Sequence, residues 1–174
     1  GILVIEDGKP IVYDIAGELS TFKVIYTNSP TGAISGAVQR HDFFEYCKPN
    51  YVCSFYDAPA DVDVDKMCAF VQKSYKEGKP FYPYFRWKDK ESYYCTQFIA
   101  ESIRAGGGKI PEFTPMNPNK SFQKAISWLE IPIEDTLPAG AFADPKRFVG
   151  TLSTYSSLTA VRAYFAAKKV IHER

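Results

Sequence analysis

Among the polar side chains of this sequence, Cys95 stands where a thiol could become a nucleophile. Ser92 is a good N-cap type, and Phe98, Ile99 and Ile103 recur behind it at helical spacing, so Cys95 is expected in the first turn of a helix. Backbone N–H groups are unpaired there, and with the helix dipole they favour a thiolate. The same N–H groups can hold the oxyanion that forms when sulfur attacks an acyl carbon. The plainer alternative is a small apolar residue packed with Ile99 and Ile103. Cys47, Cys53 and Cys68 complete a set of four cysteines with no Cys-x-x-Cys pair, too sparse for a disulfide scaffold. His41 and His172 are the only histidines, so neither a structural metal site nor any cofactor is expected. His41 reads as a solvated residue opening a turn, and His172 is among the last three residues of the sequence.

The elements around Cys95 follow from periodicity and turn chemistry. Residues 1–16 predict a hairpin, with β-rich runs at Ile2–Ile5 and Ile11–Tyr13 on either side of Asp7-Gly8. Residues 22–27 predict a third strand, ended by the Ser29-Pro30-Thr31-Gly32 cluster. A Gly/Ala-rich stretch leads to the short aromatic segment Asp42–Cys47, and Tyr51–Tyr56 predicts a fourth strand. After Asp63, the spacing of Met67, Phe70, Val71 and Tyr75 predicts a helix that stops at Gly78. A proline-rich aromatic loop, 80–87, then precedes the Cys95 helix, which runs to about Arg104 before Gly106-Gly107-Gly108. Asn119 caps a predicted helix through Leu129, and a long connection spans Ile131–Pro145. Arg147–Ser153 predicts a last strand, and Leu158, Val161 and Phe165 mark a C-terminal helix whose wet face carries Arg162, Lys168 and Lys169. Strands first and then helices give an α+β fold with a mostly antiparallel sheet, in a single domain over 1–174.

Composition narrows the classes of partner. The 174 residues carry 21 Lys plus Arg against 20 Asp plus Glu, so a net charge of +1 gives no footprint for nucleic acid. No apolar run approaches the roughly 20 residues that span a bilayer. The chain opens without methionine, so either a leader has been removed or the numbering begins inside a longer chain. Cytoplasmic and exported locations both stay open. Aromatic residues make up 16% of the sequence, concentrated from Phe81 to Tyr94, where they are expected to wall a cleft leading to Cys95. Ile131–Pro138 is expected to pack over that cleft.

The segment Gly78 to Ile99, ending Tyr93-Tyr94-Cys95-Thr96-Gln97-Phe98-Ile99, resembles permuted papain-like cysteine hydrolases of the NlpC type, in particular the YiiX/YebB-like group. There a helix ends in Gly, a loop Gly-Lys-x-Tyr-Asp follows, and Tyr-Cys-Ser/Thr-Glu/Gln-Leu/Val opens the nucleophile helix. The start of the chain, Gly1-Ile2-Leu3-Val4 through Val12-Tyr13-Asp14, is similar to that group's His-x-Gly-Ile-Val strand and Val-Tyr-Glu-Ala strand. The resemblance implies a circularly permuted papain-like fold, with further C-terminal helices behind the nucleophile helix. It makes Cys95 the nucleophile, Asp14 the acid that orients an imidazole, and Tyr82 a candidate oxyanion or substrate contact. Its base histidine would lie two residues before Gly1, on a strand preceding this chain. The implied activity is hydrolysis or acyl transfer on an amide, isopeptide or ester through a Cys95 thioester, with a small-molecule, peptide or lipid-amide substrate. The alternative is a non-catalytic binding domain of the same fold that has lost its base.

Overall fold

The computed structural model describes residues 1–17, 36–47, 52–82, 87, 91–111 and 136–153. The predicted strand at 22–27, the helix from Asn119, the C-terminal helix and His172 lie outside these residues, as does most of the 131–138 segment.

Strands β1 (Ile2–Glu6) and β2 (Lys9–Gly17) form the expected hairpin, with Leu3 opposite Val12 and Glu6 opposite Lys9. Asp7 (φ 48°) and Gly8 (φ 72°) both take the left-handed conformation, which matches the twist of the flanking strands and suits an Asp-Gly pair. β2 continues the sheet to β3 (Gly36–Asp42), antiparallel, with Val12 opposite His41 and Asp14 opposite Gln39. β3 lies in the Gly/Ala-rich stretch, to which the sequence assigns no element. Its run Gly-Ala-Val-Gln-Arg-His carries one buried apolar residue, Val38, so periodicity is nearly silent there. The ladder reaches further: Pro80 bridges Ala37 and Phe81 bridges Tyr93, which leads the chain directly to Cys95.

Asp42 accepts the N–H groups of Phe44 and Glu45 and so starts the short helix α1 (Phe43–Cys47). Strands β4 (Val52–Tyr56) and β5 (Phe148–Ser153) pair antiparallel as a separate two-stranded sheet. Helix α2 (Val64–Lys76) is capped by Asp63, whose Oδ1 accepts the Lys66 N–H at 3.1 Å, and it stops before Gly78 (φ 62°). Helix α3 (Cys95–Ala105) ends at Gly106. A side chain at Gly108 would meet Val62 Cγ2 at 2.3 Å, so glycine lets the end of α3 lie against the residues that open α2.

The described fold is thus α+β, with antiparallel sheets and a few helices. Alternation along β2 decides what each face does. Ile11, Tyr13 and Ile15 point into the main core with Met67 and Val71 of α2 and Phe98 and Ile103 of α3. Val12 points the other way, into a smaller cluster with Phe43 and Cys47 that also packs Cys53, Phe55 and Leu152. Asp14 and His41 share the Val12 side of the sheet by register.

Candidate functional site

Cys95 is the first residue of α3, and the N-cap is Tyr94 rather than Ser92. Gln97 explains the difference. Its side-chain oxygen accepts the Tyr94 N–H at 3.4 Å, while its amide nitrogen donates to Trp87 O at 3.1 Å, so this buried glutamine sets where the helix begins. Ser92 is itself buried, two residues before the cap. The N-terminus of α3 is also pinned from outside. Tyr94, fully buried, accepts the Leu137 N–H at 2.9 Å through its hydroxyl, and Thr96 donates its hydroxyl to Leu137 O at 2.6 Å. Both neighbours of Cys95 are therefore anchored to one residue of the 131–145 connection, and Cys95 between them is exposed.

Of the aromatic residues from Phe81 to Tyr94 expected to wall a cleft, Tyr84 and Phe85 lie outside the described residues and three are packed into the core. Phe81, Tyr93 and Tyr94 are 5%, 8% and 0% exposed and belong to the main core. Leu137 is likewise fully buried, and most of the 131–138 segment lies outside the described residues. Tyr82 is half-buried, and its backbone N–H donates to Tyr93 O at 2.8 Å, which holds it beside the segment that delivers Cys95.

Asp14 and His41 meet directly: His41 Nε2 lies 3.1 Å from Asp14 Oδ1, with both side chains partly exposed. His41 is thus not the free, solvated turn residue expected from sequence. The ring also packs at 5.5 Å from Tyr46 of α1. Tyr46 is held protonated, its phenol pushed up to about 12 by burial, with Asp14, Cys53, Cys47 and Cys95 adding to the effect. Its hydroxyl also lies 3.4 Å from where a Gly1 Cβ would stand, so a side chain on Gly1 would crowd this corner. The negative charge of Asp14 acts on Cys95 as well as on Tyr46. One corner of the fold therefore gathers Cys95, Asp14, His41 and Tyr46 from three different elements and the start of α3.

The electrostatics of Cys95 differ from the helix-dipole expectation. Its thiol is raised above the ordinary value, first by desolvation, because protein packed around the sulfur displaces much of its water even though the residue keeps an exposed face. The N–H groups of Thr96 and of Cys95 itself donate to the sulfur and pull the other way, while Asp14 adds to the rise. The resting group at neutral pH is therefore a neutral thiol.

An open depression of about 490 Å³ lies elsewhere, lined by Glu6, Tyr13, Arg40 and Gln72 among others, and touches neither Cys95 nor Asp14. Among the described residues, no group of three or more His, Cys, Asp or Glu side chains is arranged to hold a metal ion, and no helix is long and apolar enough to cross a membrane.

No protein-family model matches the sequence, and no curated protein matches it. Among solved structures, the chain is similar to the crystal structure of metalloprotein yiiX from Escherichia coli O157:H7, DUF1105. That similarity covers 88% of this chain and 80% of the other, at 18% identity and a TM-score of 0.49.

Proposed function

We propose that this chain is a cysteine hydrolase or acyltransferase of the permuted papain-like kind, a single domain acting on an amide, isopeptide or ester through a Cys95 thioester. The observation that carries the reading is an exposed cysteine at the first residue of a helix, under the charge of an aspartate that holds a histidine. Sequence motifs around Cys95 and Asp14 support it independently.

The chemistry follows from the neutral thiol. An imidazole takes the Cys95 proton as sulfur attacks the carbonyl, and the tetrahedral oxyanion is held by the N–H groups at the start of α3. The imidazolium then gives that proton to the leaving amine or alcohol, and a thioester remains. Water or a second nucleophile releases the acyl group by the reverse sequence. Asp14 orients and stabilises the imidazolium. Within this chain the ring that Asp14 holds is His41, bound through Nε2, which leaves Nδ1 for proton transfer. A histidine ahead of Gly1, as the resemblance implies, would be the other ring available to Asp14. Tyr82 is the proposed substrate contact.

The test is acylation by p-nitrophenyl acetate, followed by mass analysis. The reading expects an acetyl group on Cys95 and nitrophenol release that Cys95→Ser abolishes. His41→Ala separates the two imidazoles, because a loss of turnover comparable with that of Cys95→Ser assigns the base to His41. Equal acetylation of Cys53, Cys68 and Cys95, with no turnover, overturns the enzyme reading and favours a binding domain.

A further inference from the structure

Two thiols that the proposed chemistry does not use meet where the two sheets pack. Cys47 is the last residue of α1 and is 3% exposed. Cys53 is the second residue of β4, half-buried, opposite Leu152. Both sit in the smaller apolar cluster with Phe43, Phe55 and Leu152, and the two thiols hydrogen-bond to each other. Neither is in a disulfide. Sulfurs in hydrogen-bond contact need only a small movement to reach bonding distance, and a packed apolar cluster holds them together. Burial first, and then the neighbouring Cys53, push the Cys47 thiol up to about 12, so this member of the pair keeps its proton. Cys53 has the solvent access that Cys47 lacks.

We infer that Cys47 and Cys53 form a reversible oxidation site, closed to an intrachain disulfide by hydrogen peroxide. Cys53 reacts first: its sulfur attacks one peroxide oxygen and the O–O bond breaks. This gives a sulfenic acid, and the departing hydroxide takes up the proton that Cys53 lost. The Cys47 sulfur then attacks the Cys53 sulfur, and the sulfenic oxygen leaves as water with the Cys47 proton. Two thiols and one peroxide become one disulfide and two waters. The bridge ties α1 to β4 directly beside Tyr46, whose hydroxyl feels Asp14 and Cys95.

The site is tested on the full chain, with or without Cys95→Ser, so the outcome does not depend on the proposed activity. The chain is exposed to hydrogen peroxide, blocked with iodoacetamide after denaturation, and cleaved with trypsin. His41–Lys66 is then one peptide containing both cysteines. The expected result is that this peptide becomes two hydrogens lighter and unalkylated, and that dithiothreitol restores two alkylatable thiols. In Cys47→Ser the same treatment adds oxygen to Cys53 in place of the bridge. Full alkylation of both cysteines after peroxide, oxygen addition without a bridge in the unsubstituted chain, or a cross-link from Cys53 to Cys95 would overturn the inference.

Discussion

Asp14 Oδ1 and His41 Nε2 stand 3.1 Å apart, a diagonal contact between β2 and β3 on the sheet face opposite the main core. An aspartate in this position can hold an imidazole in one orientation, as an amide oxygen also can, and can stabilise its charged form, which an amide does not. Asp14→Asn keeps the size and loses the charge. Turnover of an ester substrate is expected to fall about 100- to 10 000-fold with little change in KM. Retained turnover would make the pair a structural link between strands.

The raised thiol of Cys95 predicts a definite pH profile. Iodoacetamide reacts with the thiolate, so the rate of Cys95 alkylation should rise with pH through a midpoint above the ordinary thiol value of about 8.5. Asp14 contributes to that rise by disfavouring a second negative charge nearby. Asp14→Asn should therefore move the midpoint down, even as it slows turnover. Opposite effects on reactivity and catalysis separate a general-base mechanism from a preformed thiolate. A midpoint below 8.5 in the unsubstituted chain would contradict the burial argument.

A second polar cluster predicts how the fold responds to acid. Glu6, with its side chain 16% exposed, accepts from the Tyr13 hydroxyl at 2.5 Å, Gln72 at 2.8 Å and the Arg40 guanidinium at 2.7 Å and 3.0 Å. Burial pushes its carboxyl up, but the Tyr13, Arg40 and Gln72 hydrogen bonds outweigh that, and the net value is lowered. A carboxyl lowered on folding contributes stability that is fully present above the unfolded value of about 4.3 and lost as pH falls through the folded value. Glu6→Gln should cost about 1–3 kcal/mol near neutral pH. It should also flatten the loss of stability below about pH 4, measured by urea unfolding at a series of pH values.

What the sequence reveals of this arrangement depends on how local each signal is. Asp7-Gly8 fixes the first hairpin through a two-residue turn, and Asp63 starts α2 through one side-chain bond, so both are legible. The position of Cys95 at a helix start is legible too, although the cap shifts from Ser92 to Tyr94. A serine is the better generic cap, but Gln97 placed at the third helical residue reaches back to the Tyr94 N–H. His41 is not legible as a partner of Asp14, because β3 has almost no apolar alternation from which to predict that it lies beside β2. The Glu6 cluster is hidden for the same reason: its partners come from positions 13, 40 and 72, and only the folded sheet and α2 bring them together. The aromatic surplus near Cys95 looks like a binding surface in sequence, yet Phe81, Tyr93 and Tyr94 are core packing around helix α3.

Tyr94 tests whether that packing also sets the geometry at Cys95. Its ring is fully buried and its hydroxyl accepts the Leu137 N–H, while Thr96 on the other side of Cys95 donates to Leu137 O. Tyr94→Phe keeps the ring and removes one acceptor, which leaves a buried backbone N–H without its partner. Such a loss costs about 1–3 kcal/mol, seen as a lowered urea midpoint with unchanged slope. If the Leu137 strap also positions the start of α3, alkylation of Cys95 in the folded protein should change in rate while that of Cys68 on α2 does not. Thr96→Val removes the second bond to the same residue. The two substitutions together should then cost less or more than their sum, because both act through Leu137. Strict additivity, with Cys95 reactivity unchanged in each variant, would show that the strap stabilises the fold without tuning the Cys95 thiol.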